Sequence, residues 1–479
     1  MGQKDGTLHP KTMRRPIVEK EKQKEDTLSI IMKARNYLCI AIAVLATSAS
    51  AQVMSLKECI TMGLEHNLQV RSQAQDVSLA DVTCTENRNR LLPVIQGFVN
   101  HTDNLHCGTS VTDGSGISKL LGMDVPYMKN QGLQYTAQAG VQAQMPLYDP
   151  TIRIGIDMAD RMRELSRLSL DKAREELTMQ IAQLYYLAQT THEQLRLTER
   201  NIRSLEALDT ITRALRQEGM VLAVDVKRLN INLANQRTVH DNLQATLEQQ
   251  LNLLRYAMDL SPDEPPMVEP LASNYSRMNS VQFNGMSSDL LELQVIDKQR
   301  QVTERQRRQV KAGYLPSLSL VGQVSWANFT DKFEHYFQDH ASNHWYNTTM
   351  VGLQLNIPVF DRHTKRNAIR KTDIALDKLT LARESAEKQL HTQYLNGLND
   401  WHNNRRTMDT QRENYMLAQE VYDVAANQYR EGVTSMSTLL QDEMNVTTAQ
   451  NAFVASAYKY LMSELTLLKL TSQLDLLSR

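Results

Sequence analysis

Glycine and proline are scarce in this 479-residue chain, 18 and 12 in all, which argues against a fold of many tight turns and favours long helices. Cysteine is scarcer, at 4. Cys39 lies in an N-terminal apolar run, and Cys59, Cys84 and Cys107 form an odd, irregularly spaced set. Such a set gives neither a disulfide framework nor a zinc site. Excess charge of one sign is also missing: the formal net charge is −1, so no nucleic-acid partner is expected. After residue 51 no stretch approaches the ~20 apolar residues of a membrane-spanning helix. P-loop, GxSxG, HExxH and CxxC patterns are all lacking, and scattered carboxylates on solvated helices do not make a glycosidase pair. The chain does not read as an enzyme, and no catalytic residue, metal or cofactor is expected.

What is present begins with an export signal. Residues 1–31 are polar and charged, and Met32 then opens "MKARNYLCIAIAVLATSASAQ". Lys33 and Arg35 supply a positive start, residues 37–46 a short apolar core, and Ala49 to Ala51 the small residues a signal peptidase accepts. The expectation is an untranslated upstream extension over 1–31, a signal peptide over 32–51 and a mature chain from Gln52. The apolar core is about half the length a membrane anchor needs, and no small residue precedes Cys39 to favour a lipid anchor.

The remainder repeats itself. "GVQAQMPLYD" (140–149) returns as "GLQLNIPVFD" (352–361), "NRLLPVIQGF" (89–98) as "AGYLPSLSLVG" (312–322), and "ALRQEGMVLAVDVKRL" (214–229) as "ANQYREGVTSMSTLLQ" (426–441). Three motifs in one order at nearly constant spacing mean a duplicated unit. The Pro-rich stretch 261–270 is the expected junction, giving repeats over 52–265 and 266–479.

Each repeat reads helix, strand, loop, strand, long helix, turn, helix. "SLKE", Ser55 to Glu58, is a capping box, and the second repeat is expected to start its helix at Asp289 with Glu292 in the matching place. Both helices should run to the breaks at Pro93 and Pro316. Residues 133–145 alternate apolar and polar side chains; 317–328 and 345–357 do so too, and 94–104 more weakly. Their length suits tilted membrane strands of about 9–11 residues. Four strands cannot close a barrel alone, since the smallest has about eight and a lipid-exposed edge is not tolerated. Several chains would have to pool them. Between Asp149 and Gly219, and again between Asp361 and Gly432, the composition is that of long helices of roughly 100 Å, each turning at its glycine into a returning helix.

In the order of these motifs, over residues 55–477, the chain resembles the TolC-like outer-membrane efflux factors. The resemblance rests on "SLKECITMGLEHNLQVRSQ", "LLP" with "YLP", "PLYD" with "PVFD", the paired Gly tips and "FVASAYKYLMSELTLLKL". It implies a mixed α and β fold, mostly α, with long antiparallel helical hairpins and four strands per chain completing a trimeric transmembrane β-barrel. It also implies a homotrimer in outer-membrane lipid with a periplasmic tunnel. That tunnel would conduct passively what an inner-membrane pump and a periplasmic adaptor deliver. Pro146, Asp149, Pro358 and Asp361 would then mark strand-to-helix junctions, each proline ending a ladder and each acid starting a helix.

The family closes its periplasmic mouth through acid, Tyr and Arg contacts. Asp225 and Tyr429 match the first two, but the arginine position is Thr434, leaving Arg216 and Arg430 as candidates to replace it. The acidic tunnel rings match Thr438 and Gln441, with Asp442 and Glu443 close by on other helical faces. Gly219, Met220, Val221, Gly432 and Val433 match the turns that adaptors grip. Two rival readings are a periplasmic coiled-coil structural or adaptor-like protein and a metal-dependent periplasmic enzyme. The second rests on His335, His340 and His344 with Glu334 and Asp339 in one loop; His101, His106 and Cys107 carry less weight.

Overall fold

Each repeat contributes one very long helix and one helix assembled from two pieces. The computed structural model describes residues 53–124, 126–261, 266–271, 283, 285–337 and 344–477. The expected upstream extension, signal peptide and Gln52 lie outside these, as does part of the junction. In the first repeat β1 (Val53–Met54) precedes α1 (Leu56–His66), α2 (Leu68–Asn89) and β2 (Val94–Asp103). Then come β3 (Thr109–Asp113), α3 (Ser115–Leu121), β4 (Tyr127–Gln131), β5 (Tyr135–Tyr148), α4 (Pro150–Gln217) and α5 (Ala223–Met258). The second repeat has β6 (Met267–Val268), α6 (Leu291–Ala312), β7 (Ser317–Thr330), β8 (Trp345–Asn356), α7 (Thr364–Arg430) and α8 (Met436–Leu470). The β3–α3–β4 insertion, where the alternation suggested a plain loop, is an addition to the sequence reading.

The capping box at Ser55 forms: its Oγ accepts from the Glu58 amide at 3.3 Å, and Glu58 Oε2 accepts from the Ser55 amide at 2.8 Å. The single helix expected from there to Pro93 is broken at Asn67. Its Oδ1 accepts from the amides of Gln69 and Val70, starting α2 afresh, and its Nδ2 donates to the Ala257 carbonyl at 2.9 Å. That bond stacks α2 on the end of α5. The second repeat does not copy the cap. α6 starts after Leu290 with no side-chain bond, and Glu292 instead meets Lys469 of α8 at 2.7 Å. Here α8 runs into the start of α6, where the Ser287 amide donates to the Leu470 carbonyl at 3.0 Å. A tertiary ion pair stands where the first repeat has local capping hydrogen bonds.

Helices α2 and α5 both pack on α4, α6 and α8 both pack on α7, and α4 also packs on α6 and α8. The wall therefore runs α2/α5, α4, α6/α8, α7. The main sheet is antiparallel in the order β2-β5-β7-β8, so strands and helices follow the same sequence across the wall. β1 pairs with β6 in parallel, tying the start of one repeat to the start of the other.

The core lies in the tip-side part of the wall. One buried cluster joins α1, α4, α5, α7 and α8 around Ile60, Ile181, Tyr185, Leu254, Tyr460 and Leu467. Gly63 lets α1 approach α4 closely there: a Cβ at that position would meet the Ile181 Cδ1, whose side chain would have to turn away. A second cluster, including Leu205, Leu229, Tyr429 and Leu439, lies nearer the tips. Close to the sheet apolar burial is sparse, and ion pairs lace the helices instead. Arg88–Asp160 (3.2 Å) and Arg163–Asp81 (3.6 Å) link α2 to α4. Lys298–Glu164 (2.6 Å) and Arg305–Asp157 (3.0 Å) link α6 to α4, and Arg307–Asp373 (2.5 Å) and Arg383–Asp297 (3.1 Å) link α6 to α7.

Candidate functional site

The four-stranded sheet sorts its residues into two faces. In antiparallel pairing, residues opposite each other point to the same side. The register places Val99, Ala139, Trp326 and Asn347 in one row, and Gly97, Val141, Val324 and Thr349 in the next. Below these come Ile95, Ala143, Gly322 and Val351, then Met145, Leu320 and Leu353, and then Leu318 with Leu355. From the row of Ile95 down to Leu318 and Leu355 this face is apolar, and it is exposed: Val351 is 76% and Leu353 66% accessible. Above Val99 it turns polar, with His101, Ala137, Asn328 and Trp345 in one row and Asp103, Tyr135 and Thr330 in the next. The opposite face carries Gln96, Gln138, Gln142, Gln144, Ser319, Gln323, Ser325 and Gln354. There Gln142 Nε2 donates to Gln96 Oε1 at 3.2 Å, and Gln138 Nε2 to Ser325 Oγ at 3.4 Å. One face thus suits hydrocarbon and the other water. Gly140 lies on the wet face, where any Cβ would stand 2.5 Å from the Val324 carbonyl oxygen. Close approach of β5 and β7 demands glycine at that position.

The sheet has two free sides, β2 and β8. β2 belongs with α2, and β8 with α7, so both layers end on the same two flanks. Apolar residues remain exposed along those flanking helices: Val224, Ile231 and Leu253 on α5, and, at heptad spacing, Ile374, Leu381 and Leu395 on α7.

The junctions differ between the copies. Asp149 caps α4, its Oδ1 accepting from the Thr151 amide at 2.8 Å, with Pro150 at the first helical position. Pro146 does not end the ladder. β5 continues to Tyr148, with a register shift between Pro146 and Tyr148. β2 has already ended opposite Gln144, so β5 is an edge there and a missing N–H costs no ladder bond. In the second copy β8 stops at Asn356, two residues before Pro358. Asp361 stands two residues ahead of His363, which holds the N-cap position without a side-chain bond, and the Asp361 Oδ2 instead accepts from the Lys365 amide at 3.0 Å. That bond, with Lys365 alongside, holds the Asp361 carboxyl below its ordinary range.

At the far end both tips turn the same way. Gly219 (φ 76°) and Gly432 (φ 74°) take left-handed backbone, and the amides of Met220 and Val433 donate to the carbonyls of Leu215 and Gln428, both at 2.9 Å. This closes each helix with a Schellman turn. Met220 and Val433 are exposed, at 69% and 72%, and Val221 is half-buried. Asp225 pairs with Arg228 of its own helix at 3.1 Å. Arg430 donates to Asn427 at 3.0 Å, and no ion pair joins Arg216 or Arg430 to Asp225 among the described residues. Tyr429 is buried and its hydroxyl lies 3.4 Å from Thr212 Oγ1. Burial pushes its phenol up, the Thr212 bond opposes this, and the Asp225 carboxylate adds to the rise.

Tyr429 is one rung of a polar ladder that sequence reasoning missed. Going up from the tips, Tyr422 Oη meets Ser204 Oγ at 3.0 Å, and Asn201 Nδ2 donates to Gln450 Oε1 at 2.8 Å. Glu443, expected near the tunnel rings, is buried instead. It accepts from Asn232 Nδ2 (2.8 Å), Gln236 Nε2 (3.1 Å) and Thr447 Oγ1 (3.2 Å). A cavity of about 170 Å³ opens beside these rungs, lined among others by Arg200, Tyr415, Tyr422 and Glu443. The ladder joins the α4/α5 hairpin to the α7/α8 hairpin. Apart from Thr447, its partners lie more than two hundred positions apart in sequence, so no local pattern announced them.

The histidine loop is described in part. His335 Nδ1 lies 2.8 Å from Asp331 Oδ1 and His344 is exposed at the start of β8, whereas Asp339 and His340 lie outside the described residues. His101 stacks on Tyr135, and Cys107 is a free thiol. Among the described residues no group of His, Cys, Asp and Glu has the arrangement of a metal site.

The geometry has counterparts in known proteins. The family model of the outer membrane efflux protein matches residues 60–258 and 290–473. The "Probable efflux pump outer membrane protein TtgC" of Pseudomonas putida is 22% identical over 430 residues, covering 87% of this chain and 82% of that protein. The "Antibiotic efflux pump outer membrane protein ArpC" of the same species matches to the same extent, 22% over 430 residues. Among solved structures, the Campylobacter jejuni CmeC outer membrane channel superposes with a TM-score of 0.68 at 15% identity, over 87% of this chain and 85% of that one. The open state of the Neisseria gonorrhoeae MtrE outer membrane channel gives 0.64 at 16%, over 87% and 88%.

Proposed function

This chain belongs to the outer membrane efflux protein family, and we propose that it works there as a homotrimeric duct for a tripartite efflux or secretion system. The family is one of transport channels, not enzymes, and sits in the outer membrane. In the proposed assembly each repeat, 52–265 and 266–479, supplies one strand hairpin and one helical hairpin. The helical part extends into the periplasm, where a periplasmic adaptor grips Gly219, Met220, Val221, Gly432 and Val433. An inner-membrane pump does the energetic work, and conduction through the duct is passive.

The observation that carries this reading is the coincidence of free edges. The sheet ends at β2 and β8, the wall ends at α2/α5 and α7, and the two pairs of ends lie on the same flanks. An unpaired strand edge in hydrocarbon strands its N–H and C=O groups. Pairing β8 of one chain with β2 of the next meets that demand and brings the exposed apolar stripes of α7 and α5 together. Such a head-to-tail contact closes into a ring when the rotation allows. Two copies would give eight strands, whose interior is filled by side chains. Three give twelve, which leaves a lumen for the Gln- and Ser-rich face. Asp225, Tyr429, Arg216 and Arg430 lie at the mouth of this ring and are proposed to take part in its gating, with Arg228 holding Asp225 in the isolated chain.

The test is the mass of the particle extracted from envelopes in detergent, with its conductance in a planar bilayer. Three copies and a steady ion current are expected. A chain removed from membranes by a carbonate wash, as a coiled-coil spacer would be, defeats the proposal.

A further inference from the structure

We infer that the boundary between the sheet and the helices is a binding surface for the headgroups of anionic phospholipids; this rests on the reading of the sheet as membrane-spanning. Moving from the apolar sheet face toward the helices, the chain first exposes Leu92, Tyr148, Tyr314, Leu315, Val359 and Phe360. Immediately beyond them lie exposed cations. Arg362, Arg366 and Arg370 recur every four residues at the start of α7, and Arg153 lies in the first turns of α4. Arg308 and Lys311 occupy the last turns of α6, and Arg90 caps the end of α2. An apolar zone, then aromatic rings, then cations is the order in which a bilayer offers acyl chains, interface and phosphate.

Two observations separate this collar from an ordinary solvated surface. The acids nearby are already engaged. Asp157 meets Arg161 and Arg305, Asp160 meets Arg88 and Arg163, Asp361 meets Lys365, and Asp373 meets Arg307, while Asp149 caps α4. Of the remaining acids, Glu86, Glu304 one helical turn before Arg308, and Asp377, none forms an ion pair with the collar among the described residues. Arg90, Arg153, Arg308, Lys311, Arg362, Arg366 and Arg370 are thus left without an ion-pair partner among the described residues. The second observation is polarity. Arg153, Arg362 and Arg366 crowd helix N-termini, where the macrodipole favours negative charge and disfavours cations. An anion from outside the chain relieves both, because a phosphodiester pairs with the guanidinium forks and brings negative charge to these helix starts. The ring of three chains presents this collar at one depth, that of the leaflet on the helical side.

The experiment uses the full chain reconstituted in nanodiscs of mixed phosphatidylcholine and phosphatidylglycerol, with retained lipids counted by native mass spectrometry. The wild-type oligomer is expected to retain phosphatidylglycerol severalfold over its share of the mixture. The triple variant Arg362→Gln, Arg366→Gln, Arg370→Gln, and separately Arg308→Gln with Lys311→Gln, should each lose most of that preference. The distant pair Arg200→Gln with Lys227→Gln should keep it. Equal retention of the two lipids by the wild type, or an undiminished preference in both collar variants, overturns the inference. So does loss of the preference in millimolar inorganic phosphate, which would mark a site for free anions. A chain that enters no bilayer defeats the channel reading itself, an outcome distinct from a barrel that inserts without lipid preference.

Discussion

Glu464 shows how one buried side chain sets a property of the whole wall. It lies on α8 at 8% exposure, and burial pushes its carboxyl from 4.5 up to about 7, with Arg405 opposing the shift. The folded chain therefore holds a proton there that the unfolded chain has released. Between about pH 4.5 and 7 stability falls as pH rises, and above pH 7 the full cost, roughly 3 kcal/mol, is present. Glu464→Gln should raise the melting temperature at pH 8 and flatten its dependence across that window. A parallel pH profile for wild type and variant would refute this. Glu443 is also buried, and by accepting from Asn232 and Gln236 of the other hairpin it holds the two hairpins together. Glu443→Ala should cost about 2–3 kcal/mol, since it strands buried amide donors, and denaturant unfolding measures it. Neither role was legible beforehand. Glu464 sat unremarked in a hydrophobic run, and Glu443 read only as a neighbour of the ring positions on another helical face, because Asn232 and Gln236 lie on the other repeat.

At the scale of elements the sequence was readable where structure is local. The capping box at Ser55, the helix-starting acid at Asp149 and the left-handed glycines at 219 and 432 each follow from a few adjacent residues. Gly432→Ala forces a side chain into left-handed backbone and should destabilise the tip by ~1 kcal/mol, visible as faster hydrogen exchange around Val433. The misses differ in cause. Pro146 stays in its strand because β2 has already ended, and α6 lacks a capping box because Leu290 at its N-cap has no side-chain acceptor, leaving Glu292 free to pair with Lys469. Strand pairing makes its own demand at Gly140. Gly140→Val drives a side chain into the β7 backbone and should abolish the proposed oligomer, read as the mass of the detergent-extracted particle, while leaving helical circular dichroism largely intact.

For the whole molecule, the half of the wall nearest the sheet is held chiefly by interhelical ion pairs, whereas the half nearest the tips is held by apolar clusters. Exposed or half-exposed pairs are weak singly and screened by salt. Raising the salt concentration should therefore loosen the sheet-proximal helices before the tip-proximal ones, as regional hydrogen exchange would show. Uniform protection at high salt would contradict it. A wall wetted on both sides has few positions that can bury a continuous apolar core, which is why charge pairs take over there.

Alternation, repeat spacing, helix formers and turn glycines are short-range properties, so the sequence alone determined the duplication, the four strands, the two long hairpins and the family they resemble. Which side each strand shows, which ends remain open, and which polar groups on distant repeats meet were decided by register and packing. Those depend on pairs of residues hundreds of positions apart, and only the folded chain brings such pairs within bonding distance.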